Sequence, residues 1–319
     1  MDRMEPSEQS IPIDESPAAI SIWRLGGLNW RTLGRLVWNE LYAGNLLTHS
    51  AALSFYFLFA LFPLLIFLVT LIGFFVDSGS DLRASLFGYL RRVVPSSAFV
   101  LINTTLDEIS TGADGARLWL GFLTALWFAS LGVAALSDSL NAMYGVRESR
   151  PWWRVRASAV GLTAALVVLI LAALSLIVYG GEIGAGIAGY FDQGTLFVTV
   201  WAILQVPLAV IFVLLAFALI YYFAPDLYDQ KWYWITPGSL IGVALWLIVS
   251  AVLRIYLRYA DSYSVTYGSL GGVIILMLWF YVTGAAILLG GKMNAEIESA
   301  AARAGVPEAK HHGEKAAEE

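Results

Sequence analysis

His49 is the one histidine in the apolar part of this 319-residue chain, since His311 and His312 lie near a polar C-terminus. It stands beside Ser50 and Ser54 in an uncharged run, "LLTHSAALSFYFLFALFPLLIFLVTLIGFF", from Leu46 to Phe75. An imidazole in such surroundings can exchange a proton, contact a polar substrate, or rest at a membrane interface. With no cysteine there is no thiolate nucleophile, disulfide, zinc–thiolate site or iron–sulfur cluster. Three histidines are too few for a histidine-rich metal site. No apolar segment carries paired carboxylates, a glutamate–histidine zinc motif or a serine–histidine–aspartate set. The glycine-rich "GGEIGAGIAG" lacks the lysine of a phosphate loop. The expectation is a protein without catalytic residues, metal or cofactor.

The remaining polar residues of the apolar segments fall into stripes. Steps of three and four align His49, Ala52, Tyr56, Ala60 and Pro63 beside Ser50 and Ser54. Ser130, Ala134, Ser137 and Asn141 make a second stripe with Asp138 next to it. Tyr281, Gly284, Gly291, Asn294 and Glu298 make a third. Small and polar side chains on a membrane helix face other helices, where backbones approach and hydrogen bonds find partners. Gly268 and Gly272 in "YGSLGG" repeat the spacing of a close helix contact. Pro63 and Pro207 are expected to kink their helices. Asp138 is expected to form a structural salt bridge near Arg147, Arg150, Arg154 and Arg156. A polar path through a bundle would draw on His49, Ser50, Ser54, Asn141, Gln205, Tyr281 and Asn294.

The elements that must position these residues are membrane helices. Hydrophobic residues make up 59% of the chain and charged ones 13%, with a mean hydropathy of +0.71. A helix of about 20 apolar residues crosses a bilayer. Runs of that kind lie near 46–76, 118–138, 157–180, 196–223, 235–256 and 269–291. The fold class is therefore all-α, a polytopic protein with six transmembrane helices in a domain spanning 46–298. "GEIGAGIAGYFDQG" reads as the loop between the third and fourth spans. Between the first and second, 81–93 and 96–110 read as two short amphipathic helices hinged at Pro95. Residues 21–45 predict an N-terminal interfacial helix, with Trp30, Leu33, Val37 and Leu41 on one face and Arg31, Arg35 and Asn39 on another. Residues 1–20 and 299–319 read as disordered polar tails.

Charge sets orientation and partners. With the N-terminus inside, 13 of the 19 lysines and arginines fall on the inner side and six on the outer. Both termini are thus expected in the cytoplasm. A net charge of −5 with no basic stripe argues against a nucleic-acid partner and leaves membrane lipids as the expected one. Oligomeric state is not legible.

Separated motifs lie along the chain: Ala51–Ala52–Leu53 through Pro63, Leu140–Asn141 to Tyr144–Gly145, Tyr221 to Pro225, Pro237–Gly238, Tyr267–Gly268–Ser269, Trp279, Tyr281, and Gly290 to Asn294. Together they resemble the YihY/virulence factor BrkB family of bacterial inner-membrane proteins. The resemblance runs from about Trp38 to Glu298. It implies six helices with cytoplasmic termini, association with envelope integrity and virulence, and an older label of ribonuclease. Two positions depart from the family pattern, Lys292 for an acid and Tyr222 for a base.

The function expected is handling or transport of an envelope constituent, such as an amphipathic lipid moved between leaflets. Arg83, Arg91 and Arg92 would then receive an anionic headgroup at a gate. The alternatives are a non-transporting scaffold for envelope-assembly proteins and a channel or carrier for a small solute.

Overall fold

The computed structural model describes residues 22–43, 45–75, 115–190, 195–227, 235–259, 269–306 and 309–314. Among them a 3-10 turn, Ile22–Gly27, precedes seven α-helices: α1 (Trp30–Ala43), α2 (Leu46–Phe75), α3 (Gly115–Tyr144), α4 (Trp152–Tyr190), α5 (Thr195–Phe223), α6 (Pro237–Tyr259) and α7 (Ser269–Arg303). The described residues are all-α, and α2 to α7 are each long and apolar enough to cross a membrane. The tail at 1–20, the two short helices at 81–93 and 96–110 with Arg83, Arg91 and Arg92, and Gly268 lie outside the described residues.

Local sequence explains most helix ends. Gly145 closes α3 with a positive φ, its N–H reaching the Ala142 carbonyl while the Val146 N–H reaches that of Asn141. That pair of bonds is a glycine-dependent C-terminal cap, and Gly305 repeats it after α7. Thr236 caps α6: its Oγ1 accepts from the Ser239 N–H, and Ser239 Oγ accepts from the Thr236 N–H in return. Pro237 then occupies the first helical position, where a missing N–H does no harm.

Three boundaries move. The stretch expected as a loop at 181–194 is helical to Tyr190, because glycine weakens a helix by about 1 kcal/mol without removing a donor. α3 continues six residues past 138, to Tyr144, while α7 runs on past 291 into "KMNAEIESAAARAG", as the sequence predicts, and ends at Arg303. The C-terminal part expected to be disordered from 299 is therefore helical to Arg303, and residues 309–314 lie against the bundle. The helices also run unbroken through Pro63 and Pro207.

The helices alternate in direction, so the start of α2, α4 and α6 meets the end of α3, α5 and α7. There the main core forms from Leu46, Leu53, Leu136, Leu140, Met143, Leu162, Phe217, Tyr221, Val243 and Leu288, among others. A second cluster joins Leu25, Leu28, Leu33 and Val37 to Met293, Ile297 and Ala300 of α7. Away from that end packing thins on one side. From Gly272 to Thr283 no residue of α7 is buried, although from Gly284 to Ala302 most are. α6 has no buried residue from Ala244 to Tyr256, and α5 none from Val200 to Leu208.

Two faces differ from expectation. On α2 the contact line runs through Leu46, Ser50, Leu53, Ser54 and Ala60, while Ala52 and Tyr56 are exposed. Side-chain bulk decides this: Leu53 fits against Gly284 of α7 and Ala60 against Gly132 of α3. On α1 Trp30 is exposed rather than sharing the buried face of Leu33 and Val37. Gly272 has nothing within 4 Å of where its Cβ would be among the described residues, so no close contact with another described helix forms there.

Candidate functional site

The densest polar chemistry lies where the six helices converge, and it ties separated segments together. Glu148 follows the glycine cap of α3 by three residues, and Arg150 precedes the Pro151 turn that starts α4. Arg150 donates from Nε and Nη2 to the two oxygens of Glu148, at 2.8 and 2.7 Å. Its Nη2 also donates to the Ala224 carbonyl at 3.0 Å, and its Nε lies 3.5 Å from Asp226. Asp226 is buried and accepts from both the N–H and the hydroxyl of Ser149, each at 2.8 Å. Asn141 bridges the two carboxylates' segments, donating to Glu148 at 2.9 Å and accepting from the Asp226 N–H at 2.7 Å. Burial pushes the Glu148 carboxyl up, but hydrogen bonds and charge from Arg150, with Asn141, hold it below its ordinary value. The bonds that Arg150 donates to Glu148 correspondingly raise the Arg150 guanidinium.

Beside this lock, α6 and α7 touch backbone to backbone. Asn294 accepts from the Gly238 N–H and donates to Thr236 Oγ1, both at 3.0 Å. Tyr221, buried, donates to the Ile287 carbonyl at 2.8 Å. A Cβ on Gly238 or on Gly290 would overlap the other's carbonyl oxygen, so only glycine permits this approach. Across the same end, the Gly313 N–H bonds the Tyr144 carbonyl, the His312 ring covers Gly145, and Lys292 Nζ lies 3.2 Å from His312 Nε2. Lys292 also pairs with Glu296 at 3.1 Å.

The path residues therefore divide. Asn141 and Asn294 belong to this seal. Ser50 and Ser54 are buried nearby, and their hydroxyls donate to their own helix at Leu46 and Ala51. His49 is half-buried on the same first turns of α2. Gln205 lies elsewhere, against Gly180 of α4, and its buried Oε1 has no donor among the described residues. Tyr281 sits in the thinly packed part of α7, two residues from Thr283, whose buried Oγ1 also lacks a partner. The ion pairs of the α3–α4 loop go from Arg150 to Glu148 and Asp226, not to the expected Asp138. Buried Asp226 needs a cation, and the loop position of Arg150 lets it meet Glu148 two residues away in the same step. Asp226, Glu148 and Thr236 carried a signal that sequence reading missed: each is a polar residue within three positions of a glycine or proline at a helix boundary.

The seal gathers the separated motifs Leu140 to Gly145, Tyr221 to Pro225, Pro237–Gly238 and Gly290 to Asn294 at one place. Comparison with known proteins agrees with those motifs. The chain is 37% identical over 246 residues to YfkH of Bacillus subtilis (strain 168), named as ribonuclease-like, covering 77% of this chain and 88% of that one. It is 26% identical over 276 residues to a UPF0761 membrane protein of Stenotrophomonas maltophilia (strain R551-3), covering 83% of this chain but 61% of that one. A UPF0761 membrane protein of Verminephrobacter eiseniae (strain EF01-2) is 26% identical over 298 residues, 91% of this chain and 69% of that one. No solved structure matches. Residues 37–316 match the family described as Virulence factor BrkB, and the chain is a membrane protein of that family.

Proposed function

We propose that the protein handles an amphipathic envelope lipid, moving it between leaflets of a bacterial inner membrane, and performs no covalent chemistry. One observation carries this reading: the bundle is sealed at one end and thinly packed beyond it along α5, α6 and α7. A headgroup crossing a membrane needs polar groups away from hydrocarbon, since each bare polar group there is unfavourable by several kcal/mol. Gln205 and Thr283 offer buried oxygens without partners among the described residues in that half, and Tyr281 lies on the same stretch of α7. Acyl chains would remain in the bilayer beside the exposed apolar faces of α5 and α6. Cytoplasmic termini, supported by the lysine and arginine bias, put the seal on the cytoplasmic side.

The test is purified protein in liposomes with fluorescent anionic and zwitterionic lipids, including envelope glycolipid precursors. Exchange between leaflets is expected to exceed that of empty liposomes. Exchange no faster across the whole panel removes the lipid mover. A scaffold for envelope-assembly proteins is then the reading left, favoured by the spending of Ser50, Ser54, Asn141 and Asn294 on internal bonds.

A further inference from the structure

We infer that the outward face of α1, together with the first turn of α4, is a docking surface for anionic phospholipid headgroups. The apolar stripe of α1 is not available to a membrane, because Leu33 and Val37 are buried against Met293, Ile297 and Ala300 of α7. What points outward is Trp30 and Trp38, 60% and 58% exposed, two turns apart on one line of the helix. Arg31 and Arg35 are exposed on the adjoining line. An interfacial helix held by apolar insertion would bury the stripe that α1 has given to protein. Tryptophan instead favours headgroup level, where an apolar ring and a polar N–H are both accommodated. A guanidinium pairs with phosphate through two parallel bonds.

The start of α4 repeats the chemistry. Trp152 is 73% exposed, Trp153 is exposed beside it, and the Arg154 guanidinium lies 5.2 Å from the Trp153 ring centroid. Both patches stand at the sealed end: α1 leads into the start of α2, and α4 starts from the loop that carries Glu148 and Arg150. They address the same leaflet. Exposed arginines, Arg31 and Arg35 on one patch and Arg154 on the other, supply positive charge to both, so the surface selects anionic over zwitterionic headgroups. Nothing in this depends on whether lipid is moved between leaflets.

The chain has no cysteine, and Gly34, on the line between Trp30 and Trp38, has open space where a Cβ would stand. A nitroxide on Gly34→Cys in the full-length protein, held in nanodiscs, reports collisions with a water-borne nickel chelate and with oxygen. Going from phosphatidylcholine alone to a mixture with phosphatidylglycerol, nickel accessibility should fall several-fold and oxygen accessibility rise. High salt should reverse the change. Arg31→Gln with Arg35→Gln should abolish it, and a label on Asn39→Cys provides a second site on the arginine line. Equal nickel accessibility in both lipids, whether high or low, overturns the proposal. So does a lipid dependence that survives the double glutamine variant.

Discussion

The two halves of the bundle solve the burial of polar atoms differently. At the sealed end Asn141, Tyr221, Asp226 and Asn294 each reach across to another helix or loop, and glycines let backbones touch. In the other half of α5 and α7, Gln205 and Thr283 keep buried oxygens without donors, and long stretches hold no buried residue. A packed interior has discrete arrangements and resists deformation, while a thinly packed one can change shape at small expense. Stability is thus concentrated where the separated motifs meet, and freedom to rearrange is left to the rest.

The largest effect should follow from opening the lock. Asp226→Ala leaves Arg150 half-paired and Ser149 without its acceptor, and breaking a buried pair typically costs about 3–5 kcal/mol. Thermal unfolding in detergent should show a lowered Tm; an unchanged Tm would dissolve the distinction between the halves. Gly290→Ala forces a methyl into Tyr221 and Gly238, and overpacking costs about 1–3 kcal/mol. Gly272→Ala, in open space, should leave Tm near wild type. Similar losses at both glycines would contradict the asymmetry.

Acid provides a graded probe of the same end. The Glu148 carboxyl is held below its ordinary value of 4.5 in the folded chain. Its stabilising share is therefore complete above that value and disappears as pH falls through the lower, folded one. Tm should decline in that acidic window, and Glu148→Gln should flatten the decline while lowering Tm at neutral pH. The smallest effect is expected in the loose half. Gln205→Leu removes an unpartnered acceptor, so Tm should stay level or rise by the equivalent of about 1 kcal/mol. If that half carries lipid headgroups, the same variant should slow leaflet exchange without loss of stability.

Much of the architecture was legible from composition and spacing. Six apolar runs give six long helices, because a backbone in hydrocarbon must satisfy its own hydrogen bonds and a helix does so within one segment. The stripe of Ser130, Ser137 and Asn141 also lies inside, as small and polar residues on a membrane helix should. The stripe through Ala52 and Tyr56 was misplaced by about one residue around α2, since Leu53 and Phe57 are as apolar as the lipid-facing residues beside them. Hydropathy cannot separate a protein-facing leucine from a lipid-facing one when both surroundings are apolar.

Pairing depended on geometry that no local pattern encodes. Arg150 finds Asp226 across 76 positions of chain and Asn141 finds it across 85, so their partnership exists only once α3, α4 and α5 are assembled. Glycine at 238 and 290 is required by contact with a distant backbone, whereas Gly272 meets nothing, and the three look alike in sequence. Residues 309–314 read as polar tail because their partners, Tyr144, Gly145 and Lys292, lie on helices that come together only in the fold. Solvent preference is a property of each segment and can be read along the chain. Which polar atoms meet is a property of the packed bundle, because a hydrogen bond depends on position to within a few tenths of an ångström.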